Sequence, residues 1–341
     1  MESITEGYPA DYSSSFDYSE LEEHAPCIKS KVGALFLPAL YSVLFVTGLL
    51  GNSLVIFLLV RAVKLKSTSD VAFLNLAISD LLFVVTFPFL AHYARDQWVF
   101  GDVLCKIIMG LYHVGFYGGI YFVALMSVDN CLAVTSSGYA TKTTTAKTSL
   151  AISLTVWVIS FGSSFPEVTY NQVINDGEIT CRPLYPQTAI TALTILHIFK
   201  MNILGFLIPL TVLTVCHAVA IRRSPVSQAI KNQAVKRVSC IVLAFLVFWT
   251  PYNIASFLDA LHHFHIFDDC ESSKMLDLSL QITEAIAFMY SCFYPLVFIG
   301  IEEKLKRYLI KKFTRNLSTH GHAVKTQLSL TVISNTASVA L

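Results

Sequence analysis

Seven long apolar segments constrain the fold of this 341-residue chain more than any other feature. They lie at roughly residues 33–60, 71–94, 107–128, 148–166, 201–221, 238–258 and 278–300. About 20 helical residues cross the roughly 30 Å hydrocarbon layer of a bilayer. Inside lipid, only helices and closed barrels satisfy every backbone hydrogen bond. The sequence therefore predicts an all-α fold, an integral membrane bundle of seven transmembrane helices.

The third segment is the one on which we expect the others to pack. It follows Cys105, and Ile107–Val128 contains no formally charged residue. Gly115, Gly118 and Gly119 crowd its middle. Because small residues let helices approach closely where lipid removes the hydrophobic driving force, this segment is predicted to lie at the centre of the bundle.

The composition excludes several classes of protein. Charged residues make up 14% of the chain, against about 25% in soluble domains. The net charge of +1 gives no reason to expect a nucleic-acid partner. The eight cysteines are too few for a disulfide scaffold and lack zinc-type spacing. With no nucleophile–base pair and no metal cluster in the sequence, we expect a protein that is not an enzyme.

The distribution of charge predicts the orientation in the membrane. Residues 1–26 contain seven acidic residues and no Lys or Arg, whereas Arg222–Arg237 contains five basic residues and no acid. Basic residues also follow the first, third and seventh segments. By the positive-inside rule the N-terminus lies outside and the C-terminus in the cytoplasm. We expect a multi-pass protein of the plasma membrane.

Four regions follow from this orientation. Residues 1–32 form an extracellular acidic tail and residues 33–300 the seven-helix bundle. Residues 301–313 form a basic amphipathic helix suited to the anionic lipid of the inner leaflet. Residues 314–341 are a Ser- and Thr-rich cytoplasmic tail, which a partner could recognise through the charge that phosphorylation adds. The alternative for either tail is a plain disordered terminus.

A few polar residues lie inside the apolar segments. Asp80 at mid-membrane costs at least a few kcal/mol, so it should face the bundle interior near Asn52. Its role is either an ion site or structural hydrogen bonding. Pro88 should kink the second segment. Glu284 lies near the outer end of the seventh segment without a basic neighbour in its own helix, which indicates a ligand site.

The cysteines fall on both sides of the membrane. Cys105 and Cys181 are on the predicted outer side, where two cysteines in an oxidising compartment most simply pair. Four others lie in segments or near the inner face and are expected to be inert packing residues. These are Cys131, Cys216, Cys240 and Cys292.

Several spaced motifs resemble those of one receptor family. They are Thr86-Phe87-Pro88, the Gly-rich run before Asp129, Phe248-Trp249-Thr250-Pro251, Asp96–Gly101 and Lys200–Pro209. On these, residues 27–313 resemble rhodopsin-like (class A) G-protein-coupled receptors, and within them the CC chemokine receptors. The motifs Asp96–Gly101 and Lys200–Pro209 are most similar to those of the eighth member of that family. An atypical or virus-captured homologue is one form that this resemblance can take.

The resemblance implies a CC chemokine ligand and a two-part binding site. The tail and outer loops would hold the ligand body, and Glu284 would receive its cationic N-terminus. The implied ligand-binding residues are Tyr12, Tyr18, Tyr41, Tyr112, Tyr252 and Glu284. The two tail tyrosines lie beside acidic residues, a setting for sulfation. The resemblance also implies a second bridge, Cys27–Cys270, and an internal sodium ion near Asn52 and Asp80.

The chain departs from this family where a heterotrimeric G protein would couple. Asn130 and Cys131 replace the Arg and Tyr that follow the Asp at position 129, and His217 replaces a Tyr. Tyr294 and Phe298 replace the Asn and Tyr of the motif around Pro295, while Trp249 keeps the aromatic position above the hinge. We therefore predict weakened or altered coupling.

Two alternatives to a signalling receptor are considered. One is a decoy or scavenger receptor that binds and internalises chemokine without activating a G protein, which the same departures favour. The other is a membrane transporter with a midplane carboxylate. A transporter predicts internal repeats, and no repeat is visible in this sequence.

Overall fold

The computed structural model describes residues 32–63, 65, 68–135, 146–223, 228–262, 264, 266 and 269–301. Within these ranges, seven helical segments are long and apolar enough to cross a membrane. We number them spans 1 to 7: Gly33–Arg61, Thr68–Arg95, Gly101–Leu132, Lys147–Tyr170, Gln187–Arg222, Ser239–His262 and Cys270–Val297. The predicted all-α bundle of seven helices is confirmed.

Most spans consist of a single helix, and spans 1, 2 and 5 are interrupted. Spans 3, 4, 6 and 7 are the helices Gly101–Thr135, Ala146–Tyr170, Gln228–His262 and Cys270–Ile301. Span 1 consists of Val32–Leu58 and the π-helical Leu59–Val63, and span 2 of Thr68–Val84 and Phe87–Arg95. Span 5 consists of the 3-10 turn Gln187–Ala189, the helix Ile190–Asn202, the π-helical Ile203–Leu207 and the helix Ile208–Arg223. Span 5 begins well before residue 201, where the sequence placed it. The earlier residues include His197 and Lys200, whose polarity obscured the membrane segment although both find a partner in span 4.

Proline explains two of the interruptions. The helix of span 2 ends at Val84 and restarts at Phe87, so the predicted bend at Pro88 is confirmed. The Thr86 hydroxyl donates to the Phe83 carbonyl at 2.6 Å across this break. In span 5 the π-helical turn directly precedes the helix that contains Pro209. Proline has no N–H to donate, so a widened turn ahead of it lets the preceding backbone groups pair differently.

Span 3 lies at the centre of the bundle, as predicted. About 72% of its most apolar window is buried, whereas the other spans range from 22% to 44%. Gly115 allows span 2 to come this close. A Cβ atom placed there would lie 2.6 Å from the Phe83 backbone nitrogen and 2.8 Å from the Ser79 carbonyl oxygen. The backbones of spans 2 and 3 therefore touch at a position where only glycine fits.

We expect Gly115→Ala to destabilise the bundle by about 1–3 kcal/mol, the usual cost of overpacking. The atoms it meets are backbone atoms, so the two helices must separate. Thermal stability of the purified protein and its abundance at the cell surface measure the effect. Gly162→Ala is the matched control, since a Cβ at that helical glycine meets nothing within 4 Å. Equal stability of the two variants would contradict the close contact.

A β-hairpin and a disulfide close one end of the bundle, called here the hairpin end. Strands β1 (Asn171–Asn175) and β2 (Ile179–Pro183) pair antiparallel between spans 4 and 5. Cys181 in β2 forms a disulfide with Cys105 at the start of span 3, so this predicted pair is confirmed. Trp98 is buried against the two cysteines. The opposite end of the bundle contains Asp129, 24 residues or about 36 Å further along the same helix.

Several predicted features lie outside the described residues. These are the acidic tail with Tyr12, Tyr18 and Cys27, most of the amphipathic segment 301–313, and the tail 314–341. Their predictions stand as made. Cys270 begins the helix of span 7 and is engaged in a disulfide. Its pairing with Cys27 stays a prediction.

Candidate ligand-binding cavity and switch residues

A cavity of about 380 Å³ lies at the hairpin end between the spans. Its volume is within the range of small-molecule pockets, about 300–1,000 Å³. The structure brings four of the predicted ligand residues to this one cavity. They are Tyr41, Tyr112, Tyr252 and Glu284. Tyr185 between β2 and span 5 also lines it, and burial raises the pKa of its hydroxyl above the ordinary value.

Glu284 has a partner that the sequence did not show. The Tyr112 hydroxyl of span 3 donates a hydrogen bond to Glu284 Oε1 at 3.1 Å. Among the described residues, no Lys or Arg forms an ion pair with this carboxylate. A carboxylate with one neutral hydrogen-bond donor at a cavity wall has no positive charge to compensate its own, so a cation would be bound favourably there.

An aromatic cluster supports the cavity from below. The ring of Tyr41 lies 5.9 Å from that of Phe87 and 5.8 Å from that of Phe288. Tyr112 packs on Phe83 with a centroid distance of 5.1 Å. Such ring pairs add about 0.5–1.5 kcal/mol each beyond the area they bury. They hold the tyrosines of spans 1 and 3 in fixed positions beside Glu284.

A second charged group in the cavity was missed by sequence reasoning. Glu167 of span 4 is buried, and its Oε1 accepts hydrogen bonds from Lys200 Nζ and, at 2.8 Å, from His197 Nδ1, both of span 5. His113 of span 3 lines the same cavity. These residues come from three spans and share no local spacing. Polarity inside an apolar segment was the only signal that could have found them.

Asn52 and Asp80 are both buried, as predicted. The Asn52 amide donates to the carbonyls of Gly48 and Ser291. Asp80 Oδ2, Asn52 Oδ1 and the Tyr290 hydroxyl lack a hydrogen-bond partner among the described residues. Asp80 and Tyr290 line a small cavity of about 20 Å³. Oxygen donors of this kind suit a hard cation, so the residues present fit the sodium ion that the resemblance implies.

Trp249 occupies the position expected of an aromatic switch. It is buried above Pro251, which lies inside the helix of span 6. Its ring is 5.0 Å from that of Phe116 and 6.4 Å from that of Tyr290. Its indole N–H has no partner among the described residues. Ring packing around Trp249 therefore joins span 6 to spans 3 and 7.

At the opposite end, Asp129 is hydrogen-bonded to a residue of another span. The Ser69 hydroxyl of span 2 donates to Asp129 Oδ2. Asn130 and Cys131 are partly buried beside it in the same helix. His217 Nε2 lies 3.4 Å from the Ser239 hydroxyl, and its Nδ1 is buried without a partner among the described residues.

The altered motif in span 7 packs inward. The Tyr294 hydroxyl donates to the sulfur of Met126 at 3.5 Å, and its ring stacks on Phe73 at 6.0 Å. Pro295 lies against span 1, since a Cβ at Gly51 would come within 3.1 Å of its Cβ. Phe298 is in the same helix, with its side chain outside what is described. Tyr294 thus joins spans 2, 3 and 7 through a ring contact and a hydrogen bond to sulfur.

Comparison with known proteins identifies the class to which this fold belongs. The model of the family described as "7 transmembrane receptor (rhodopsin family)" matches residues 51–298. C-C chemokine receptor type 8 of Mus musculus is 41% identical over 287 residues, which cover 83% of this chain and 81% of that receptor. The Homo sapiens type 8 receptor is 42% identical over 84% of this chain and 81% of its own length. C-C chemokine receptor type 4 of Homo sapiens is 40% identical over 89% and 84%.

The chain therefore belongs to the rhodopsin family of seven-transmembrane receptors and, within it, to the C-C chemokine receptors. It is a multi-pass membrane protein, and members of this family are receptors, not enzymes. The family membership decides against the transporter alternative. The resemblance read from the motifs is confirmed.

Proposed function

We propose that this receptor binds a CC chemokine at the cell surface, with the hairpin end outside the cell. The observation that carries the proposal is the cavity at that end, where Glu284 lies among Tyr41, Tyr112 and Tyr252. The relatives named above are chemokine receptors. A chemokine is a basic globular protein with a free amine at its N-terminus, so its amine end complements Glu284.

The acidic tail provides the second part of the proposed site. Residues 1–26 contain seven acids and no basic residue, and Tyr12 and Tyr18 lie among them. Such a segment attracts a basic ligand over distance, which raises the association rate more than it sets the final affinity. The ligand body is held by the tail and outer loops while its N-terminus enters the cavity.

Glu284→Gln tests the role of the carboxylate. It keeps the shape and removes the charge, so we expect chemokine activation or uptake to fall about thirtyfold or more, since losing one partner of a buried charge pair costs about 2 kcal/mol or more. The receptor should still reach the surface. Glu271→Gln is the control, because it makes the same change at an exposed position of the same helix. An unchanged chemokine response in Glu284→Gln would refute the proposal.

We further propose that a sodium ion occupies the site near Asp80 in the resting receptor. The unpartnered oxygens of Asn52, Asp80 and Tyr290 support this proposal. Residues 301–313 would lie on lipid of the inner leaflet, and the tail 314–341 would recruit arrestin after phosphorylation. The C-terminus is cytoplasmic in this arrangement.

G-protein coupling is proposed to be weakened. A long, permanently charged Arg would pair with Asp129 at rest and reach a docked G protein in the active state. Asn130 cannot make that reach, and Asp129 is hydrogen-bonded to Ser69 instead. His217 and Tyr294 are directed to Ser239 and Met126.

The second candidate function is a decoy receptor that captures and internalises chemokine without signalling. The contacts of Asp129 and Tyr294 favour it, since both side chains are engaged inside the bundle. A different outcome of the same changes is a loosened resting state and constitutive activity. The signalling measurement described in the Discussion separates these functions.

A further inference from the structure

Three side chains able to bind a metal ion meet at the hairpin end. They are His113 of span 3, Glu167 of span 4 and His197 of span 5. One ligand atom from each lies within 4.8 Å of the other two. Imidazole nitrogen and carboxylate oxygen are ligands that Zn²⁺ takes in proteins. Among the described residues, these three side chains have the chemistry of a metal centre. They are too far apart in the sequence to form a recognisable metal-binding motif.

The orientation of His113 leaves one ring nitrogen free for a metal. Its Nδ1 lies 2.8 Å from the Met109 carbonyl oxygen, which can only accept, so Nδ1 carries the proton. In the neutral ring Nε2 then carries a lone pair. Metal-binding histidines generally donate their other ring N–H to a carbonyl or carboxylate, which fixes the tautomer. His113 is 7% exposed and already arranged in this way.

Glu167 supplies an independent indication of a ligand. It is 3% exposed, and Oε1 accepts both hydrogen bonds that the carboxylate receives, from His197 and Lys200. Oε2 is buried without a hydrogen-bond partner among the described residues. A buried, unpaired carboxylate oxygen is costly. A cation bound at Oε2 would satisfy it.

The three residues line the cavity of about 380 Å³ that also contains Glu284. An ion can enter from the hairpin end, and the cavity has room for water as a fourth ligand. Three protein ligands with one open position are typical of zinc sites that exchange their fourth ligand. Two Zn–N bonds of about 2.0–2.1 Å place their nitrogens at most about 4 Å apart, so any pair at the upper limit of 4.8 Å has to approach slightly on binding.

We propose that His113, Glu167 and His197 bind Zn²⁺ or a similar divalent transition metal ion in the ligand cavity. On binding, the metal takes the place of the proton that His197 Nδ1 donates to Glu167. In a neutral ring that proton moves to Nε2, so the imidazole stays neutral, and in a charged ring it goes to solvent. The Lys200 ammonium stays at the Ser163 carbonyl, 2.9 Å away. Its positive charge weakens the site without abolishing it. Metal binding is measured without chemokine, so this inference and the ligand proposal can fail separately.

The first test measures Zn²⁺ binding by the full-length receptor in lipid nanodiscs, in competition with a fluorescent chelator. We expect one tight Zn²⁺ per receptor and an affinity at least about tenfold lower in His113→Ala and in Glu167→Gln, since outer-shell changes alone cost 10–100-fold. A control variant replaces five other histidines by Asn and should keep the tight site. The five are His24, His263, His265, His320 and His322. Loss of binding in this control would overturn the proposal.

Two further measurements keep the test independent of how the variants fold. The absorption spectrum of Co²⁺ bound to the unaltered receptor should show tetrahedral nitrogen and oxygen ligation; a thiolate charge-transfer band would assign the metal to a cysteine and overturn the proposal. Lys200→Met should bind Zn²⁺ more tightly, by about tenfold or more, because a neighbouring positive charge is removed. Weaker binding by Lys200→Met would also contradict the site.

Discussion

Replacing both Cys105 and Cys181 with alanine is expected to remove the receptor from the cell surface. The disulfide closes a segment of 76 residues and ties the start of span 3 to the hairpin above the cavity. Both cysteines are almost fully buried in a cluster with Trp98 and Ile108. Losing a native disulfide typically costs about 2–5 kcal/mol, a large part of the stability of most proteins. Surface abundance and ligand binding at equal synthesis measure the effect.

Two other cysteine variants serve as comparisons. Cys240→Ala should leave surface abundance unchanged, because Cys240 is a free, partly buried thiol. Cys270→Ala should reach the surface but capture chemokine less well, since its predicted bridge joins the tail to the top of span 7. Normal surface abundance of the Cys105/Cys181 double variant would contradict the structural role given to that bridge. Detection of Cys27 as a free thiol by mass spectrometry would refute the second pairing.

Chemokine-stimulated G-protein activation is expected to be weak or absent while binding and internalisation persist. Coupling free energies of about 1–3 kcal/mol correspond to about 5–150-fold changes, so we expect a loss of about tenfold or more. Asn130 lacks the charged fork of Arg, and its neighbour Asp129 is held by Ser69. Because polar networks lose more than the sum of their pairs, the further changes at His217 and Tyr294 deepen the defect.

The measurement compares the natural chain with the double variant Asn130→Arg, Cys131→Tyr at matched surface abundance. Asn130→Gln with Cys131→Tyr is the control that adds length without charge. Rescue by the Arg variant alone would locate the defect at positions 130 and 131. If the Arg variant does not restore activation, the coupling defect lies instead at Tyr294 and Phe298. Full activation by the natural chain would refute the decoy alternative, and high activity without chemokine would indicate constitutive signalling.

The number and order of the spans could be read from the sequence alone. A bilayer requires the same length and apolarity of every crossing helix, so each span can be recognised from its own residues alone. The bend at Pro88 and the close helix packing at Gly115 could also be predicted from the sequence, because a missing N–H or a missing side chain has the same consequence wherever it occurs. The start of span 5 was misplaced for the converse reason: Lys200 is polar, and only its partner in span 4 makes it compatible with the membrane.

In the candidate sites, too, the sequence showed single unusual residues, and the tertiary structure showed their partners. The sequence indicated Glu284 because an unpaired carboxylate inside a membrane segment is unusual in itself, whereas its partner Tyr112, 172 residues away, emerged only in the tertiary structure. Likewise, the contact of Asp129 with Ser69 and the meeting of His113, Glu167 and His197 join different spans. Periodicity along one helix reports which face is apolar, but it carries no information on which neighbour that face meets. The sequence therefore determined what each span is made of, and helix packing decided which of its polar groups act together.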